Sequence, residues 1–240
     1  MRCAIMQPTY LPWAGYLHLM AGVDCFVYLD DAQFERSSWQ HRNRLLVGGA
    51  ASWLTVPVLR GFLGETIEQV RVADNQPWRH KHLGTLAAVY GRHAHYAEVR
   101  ELIALLENRD LGTLADLNIA LLDSMRIQLD IRTPVLRSSR LGVPGTRTER
   151  LIRILEGLGA TEYVTPPGAL GYLREDRFTQ NCGIRLLVHD FTPPPYPQRG
   201  GGAFVSHLSI IDVVAHLGWL AARSYIRPPL PGCQPAEEVP

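Results

Sequence analysis

Short apolar runs alternate along this chain with longer stretches of helical period, and that alternation limits the folds open to it. Residues 2–6 (RCAIM), 25–29 (CFVYL), 162–165 (EYVT) and 184–190 (IRLLVHD) have the length and side chains of buried strands. Between them lie helical stretches: from Trp13-Ala14 to Ala21, from Trp78 to about Leu129, over Arg147–Leu158, and over Ser209–Leu220. In the second of these, Leu114, Leu117, Leu121, Leu122, Met125 and Leu129 form a stripe at i, i+3, i+4 spacing, which reads as helix core. Ser52–Val58 reads as a further strand, with Pro57 marking an edge or an end, and Thr66–Val72 alternates as a fourth would.

Strands alternating with helices predict an α/β fold: a mainly parallel, Rossmann-like sheet flanked by helices. The helical insertion in the middle of the chain, about residues 77–131, belongs to a single domain of residues 1–227. Residues 228–240 are rich in proline and poor in apolar side chains, so a disordered tail is expected there. Of the 240 residues, 46% are hydrophobic, enough for one sizeable core. A net charge of +1 gives no reason to expect nucleic acid or an anionic membrane as a general partner. The four cysteines include no C-x-x-C pair, which suits a reducing compartment, and the N-terminal apolar stretch is too short for a signal peptide. No apolar run approaches the ~20 residues of a membrane span, so a cytoplasmic location is expected.

In open α/β sheets, ligands sit beyond the carboxyl ends of the strands. That rule singles out Gln7–Pro12, Asp30–Asn43 and Asp190–His207. Gln7 and Tyr10 lie on a turn held between Pro8 and Pro12, and a glutamine amide both donates and accepts. Asp30 and Asp31 close the second strand; neighbouring strand residues point to opposite faces, so one of them, Asp30, is expected in the site as a general base. The other reading is a turn-forming aspartate pair. Arg42 and Asn43 end the long 32–44 loop, where a guanidinium can clamp a carboxylate or phosphate. His80 and His82 on a helix diverge by about 200°, a poor metal pair, so no metal site is assigned and a single histidine acting as acid or base fits better. Ser209 and Asp212 have the spacing of a capping box, with His207 just ahead of them. Tyr196 and Gln198, in a stiff PPPYPQ segment, are placed at a pocket mouth, with Gly200–Gly202 as a flexible flap.

The opening IMQPTYLPWAGYLHLM, followed by DCFVYLDDAQFERSSWQHRNRL, resembles the N-terminal signature of WbqC-like proteins. The resemblance continues through SWLTVPV, WRHKHLGTLAAVY, EYVTPPGALGYLREDRFTQNCGIRLLVHDF, PYPQ and LSIIDVVAHLGW, about residues 3–219. One departure is Thr165-Pro166-Pro167-Gly168, where the family tends to small residues and glycine; a loop there that touches substrate would alter specificity. The resemblance implies an enzyme of surface-polysaccharide or natural-product biosynthesis that forms an amide by acyl or aminoacyl transfer to an amine. It favours His82 over His80, and it adds Trp13 and Tyr16 of the opening signature to the expected substrate contacts. The expected partners are therefore an amine or amino sugar and a donor, which is an acyl thioester, an aminoacyl-tRNA or an ATP-activated carboxylate. Catalytic roles fall to Asp30, His82 and Gln7, with Arg42 as the donor clamp. Cofactors stay undetermined, because neither a P-loop nor a dinucleotide fingerprint occurs. Two alternatives stand beside this reading. One is a Rossmann-like ATP-dependent ligase or nucleotidyltransferase, whose His-x-Gly-His is missing here; the other is a non-catalytic binding protein.

Overall fold

A computed structural model describes residues 1–59, 64–200, 202–227 and 233–239. The chain opens with β1 (Arg2–Met6), α1 (Ala14–Ala21) and β2 (Cys25–Tyr28), then a hairpin of β3 (Arg42–Val47) and β4 (Ala50–Thr55). The helical insertion follows as α2 (Trp78–Tyr90), α3 (Tyr96–Ile103) and α4 (Leu114–Gln128). Next come β5 (Val135–Arg137), α5 (Ser138–Leu141), α6 (Arg147–Gly157) and β6 (Glu162–Thr165). The last part holds α7 (Leu170–Glu175), α8 (Phe178–Asn181), β7 (Arg185–His189), α9 (Ile210–Tyr225) and β8 (Cys233–Pro235).

Six strands form one sheet in the order β5-β2-β1-β6-β7-β8, parallel except at the last pair. Period-two alternation sends Ala4, Phe26, Tyr28, Val164 and Leu187 to one face, against α1, the insertion and α9. It sends Cys3, Ile5, Cys25, Val27, Tyr163, Leu186 and Val188 to the other, against α6, α7 and α8. Helices therefore cover both faces, which is what a parallel sheet requires. The insertion shares its core with the sheet, since Leu114, Leu117, Leu121 and Met125 lie in the same buried cluster as Phe26 and Val214.

Three expectations change. Ser52–Val58 shortens to β4, which pairs only with β3 and lies outside the main sheet. Thr66–Val72 is not a strand: Val70 N–H turns back to Thr66 O, while the Ile67 and Glu68 N–H groups donate to Ala32 O and Asp30 O. The segment thus braces the loop after β2 and joins no sheet. Within the expected disordered tail, residues 233–235 form β8, antiparallel to β7, because β7 would otherwise present an open edge. Arg174 donates to Ala236 O and Gln234 to Asp190, which fixes this strand further. Residues 228–232 and 240 of that expectation lie outside the described residues, as does Gly201 of the expected flap. Among the described residues, no helix is long and apolar enough to cross a membrane.

Candidate active site

β1 has β2 on one side and β6 on the other, so the strand order reverses between β1 and β6. At such a switch point the connections leave in opposite directions and open a crevice beyond the carboxyl ends. A cavity of about 460 Å³ lies there. Met6 at the end of β1, Gln7 and Thr9 after it, Leu29 after β2, and Pro166, Gly168 and Ala169 after β6 form its floor and rim. Tyr172 of α7 and Leu151 of α6 close one side; Glu35, Ser38, Trp39 and Gln40 of the loop after β2 close the other. The cavity therefore touches Pro166 and Gly168 of the Thr165–Gly168 loop.

Gln7 is held rigidly. Gln40 Oε1 accepts from Glu35 N–H at 2.8 Å, which leaves Gln40 Nε2 to donate to Gln33 O at 3.2 Å and to Gln7 Oε1 at 2.9 Å. The Gln7 Nε2 donors are thereby left for a ligand. Tyr16 donates to Gln7 O at 3.1 Å, and Asn118 of α4 donates to Pro8 O and Gln40 O, tying the two loops together. Among the described residues, no lysine or arginine lines this cavity, whereas Glu35 does.

Asp30 and His82, expected as catalytic groups, do not line this cavity and sit in buried hydrogen-bond networks. Asp30 is fully buried and accepts from Arg137 Nε at 2.6 Å, Ser138 Oγ at 3.2 Å, and Ser139 N and Oγ at 3.0 and 2.8 Å. Its lone pairs are taken, and it is not among the residues that line the switch-point cavity. Asp31 shares the Ser138 hydroxyl with Asp30 and pairs with Arg150. Burial would raise the Asp31 carboxyl, but those hydrogen bonds outweigh it and hold the group below its ordinary range. His82 is 6% exposed; Thr55 O can only accept, so Nε2 carries the proton and Nδ1 accepts from Tyr10 OH at 2.9 Å. Tyr10 is itself fully buried, and its carbonyl accepts from Asn43, so both residues hold the loop in place.

Burial lowers the His82 imidazole to about 4, against the opposing pull of the Thr55 carbonyl. The native state keeps the ring neutral, so its contribution is complete above the unfolded value near ~6.5 and is lost as pH falls towards the folded value. The loss amounts to about 3 kcal/mol. His189, lowered to about 3 by burial beside His18, adds to the same window. Urea melts from pH 7 to pH 4.5 are expected to show His82→Gln with a slope shallower by about 1 kcal/mol per pH unit. Identical slopes would mean that His82 titrates normally in the folded protein.

A sequence model of the WbqC-like protein family matches residues 7–224, from the glutamine on the cavity rim to the end of α9. The chain belongs to the WbqC-like family. It is 33% identical to the uncharacterized protein Rv1507c of Mycobacterium tuberculosis over 229 residues, which covers 94% of this chain and 97% of that one. No solved structure matches.

The other sites expected in this WbqC-like chain separate into two groups. Trp13 packs on Phe191 and His207, with ring centroids 5.7 and 4.6 Å apart, and fills the space over Gly15, where a Cβ would lie 2.2 Å from its ring. His207, at φ +58°, accepts Arg44 on its carbonyl, so Trp13 and His207 brace the hairpin, and neither is in the lining of the cavity that Asp212 lines. Asp212 is fully buried: Oδ1 accepts from Tyr90 OH at 2.9 Å, and Oδ2 from Tyr196 OH at 2.5 Å and Gln198 Nε2 at 3.3 Å. Ser209 caps α9 alone, through Ile211 N–H, while the Asp212 carboxylate turns to the tyrosines. Burial beside this carboxylate pushes both phenols well above their ordinary range. Asp212 lines a second cavity, of about 330 Å³, with His93, Arg199 and His216; Gln7 is not part of it.

Sequence reasoning missed Glu35, Ser38, Trp39 and Gln40 in the first cavity. Their only sequence signal is membership of a polar loop without period after a strand. It also missed the pairing Arg44↔Trp53, which places Arg42, Arg44 and Trp53 on one face of the hairpin, while Asn43, Leu45 and Leu54 point into the core.

Proposed function

We propose that this chain is an enzyme that forms an amide on the amine of a small molecule or amino sugar, by acyl or aminoacyl transfer from an activated donor. The observation that carries the reading is the composition of the switch-point cavity: among the described residues its lining holds one acidic residue, a fixed amide donor, and no lysine or arginine. An ammonium group finds a counter-charge there in Glu35, whereas a triphosphate finds none.

The chemistry follows from those groups. The Glu35 carboxylate takes a proton from the bound ammonium, which frees the nitrogen lone pair. The amine attacks the acyl carbonyl carbon of an ester or thioester. The C–N bond forms and the carbonyl oxygen takes negative charge, within reach of the Gln7 Nε2 donors. The C–O or C–S bond then breaks; the leaving alcohol or thiol takes the second proton, which the nitrogen sheds as it becomes an amide, and Glu35 gives the first proton up to solvent. The donor's own activation supplies the driving force, so no redox step is needed.

The test is to incubate the purified protein with amino acids, amino sugars and nucleotide-linked amino sugars, each with acyl thioesters or aminoacyl-tRNA, and to read products by mass spectrometry. The expected product has the mass of donor plus acceptor minus the leaving group. Release of AMP or pyrophosphate from ATP with a free carboxylic acid, and no product from ester or thioester donors, would replace this reading with the ligase.

A further inference from the structure

Beside the cavity stands a ladder of side chains that the amide-forming chemistry does not use. The Arg42 guanidinium lies 4.1 Å above the Trp53 ring centroid. Arg44 lies 5.9 Å from Trp53 and 5.5 Å from Trp39, and the two indoles are 5.1 Å apart. Trp39 is 43% and Trp53 45% exposed, unusual for side chains of that size. Trp39 also forms part of the cavity wall, so the ladder begins where the cavity ends.

Neither arginine is there to neutralise an acid. Among the described residues, no carboxylate forms an ion pair with Arg42 or Arg44. Each spends one terminal nitrogen on a backbone carbonyl, that of Ser37 or His207, and each Nε–H is shielded with no acceptor. The hairpin register fixes both on the face that carries Trp53. Two uncompensated, immobilised cations interleaved with two exposed π-faces stabilise the fold poorly. They are the means by which proteins hold a planar base and its phosphate together.

We propose that Arg42, Arg44, Trp39 and Trp53 bind a nucleotide, with the base stacked on an indole and the phosphate on the guanidinia, so that one substrate enters the cavity on a nucleotide handle. This deepens the amide-forming reading by naming that handle. Binding is read without turnover, so the two can fail separately. The nucleotide has two sources, a nucleoside diphosphate carrying a sugar or the terminal nucleotides of an RNA.

Isothermal titration of the full chain with uridine diphosphate, adenosine diphosphate and a short single-stranded RNA ending in CCA separates these sources. Saturable binding of a diphosphate identifies a nucleotide-linked small molecule, and binding of the RNA alone identifies an RNA-linked donor. Trp53→Ala is expected to weaken the bound probe about 10-fold or more, and Trp53→Phe to keep most of the affinity. Arg42→Gln and Arg44→Gln are expected to weaken it and to flatten its dependence on salt. Circular dichroism establishes that each variant is folded. Binding by no probe, or affinities unchanged in all four folded variants, overturns the proposal.

Discussion

Replacing Asp30 by alanine is expected to lower stability by about 3–5 kcal/mol, since it strips a buried ion pair of one partner. Asp30 is the hub where β2, β5 and α5 meet. Arg137 at the end of β5 bridges it to Asp116 of α4, while Ser138 and Ser139 at the start of α5 donate to it. Without the carboxylate, the Ser139 N–H and part of the Arg137 guanidinium lose their acceptor in a site shut off from water. For a chain of this length, that loss corresponds to a fall in Tm of roughly 6–20 °C. Asp30→Asn keeps the shape and some acceptor capacity, so its loss should be smaller. Asp116, held below the ordinary carboxylate range by Arg137 and Thr113 against the opposing effect of burial, gives the cluster a pH dependence. Its contribution is complete above the unfolded pKa of ~3.9 and disappears as pH falls through the lower folded value. Thermal melts of Asp30→Ala followed by circular dichroism decide the matter. An unchanged Tm together with lost activity would return Asp30 to the chemistry.

The same cluster shows why the frame was legible in the sequence and much of the site was not. Strand and helix periods are local, so β1, β2, β6, α1 and α4 could be read from runs of a few residues, and the strand-end rule led to Gln7–Pro12; the switch point itself needed the strand order. The partner of a buried polar group is not local. Arg137 lies 107 residues from Asp30, and Tyr10 lies 72 from His82. At a strand end, an aspartate that anchors the fold and one that takes a proton look alike until that partner is known. Gln7 was legible because proline fixed its turn at the end of a strand. Glu35 and Trp39 were not, because an aperiodic loop reveals its position only through tertiary bonds such as Gln40 to Gln7. Thr66–Val72 misled in the opposite direction: its alternation of Ile67, Val70 and Val72 serves a turn that packs under the β2 loop. The chain around β8 misled through composition, since an open β7 edge can recruit even a proline-rich segment.

In the amide-forming reading, Glu35→Gln should reduce turnover by about 10²-fold or more while leaving the fold intact. Glu35 is exposed, and among the described residues its carboxylate makes no ion pair, so glutamine in its place leaves no buried charge unpaired. What disappears is a proton acceptor beside the bound ammonium, so the loss should fall mainly on kcat, with a smaller change in KM from the missing charge. The pH profile separates this role from simple binding. Without an internal base, the enzyme depends on amine that has already lost its proton in solution, so the rate of Glu35→Gln should climb with pH through the amine's own pKa and approach the wild type. A residue that only binds the ammonium behaves differently: its removal raises KM at every pH at which the amine is charged, and alkali gives no selective recovery of kcat. A folded Glu35→Gln protein within about twofold of wild-type turnover near pH 7 would place the base elsewhere. A candidate for it would then be the second cavity, where Asp212 is held between Tyr90 and Tyr196 and His93 and His216 line the same space.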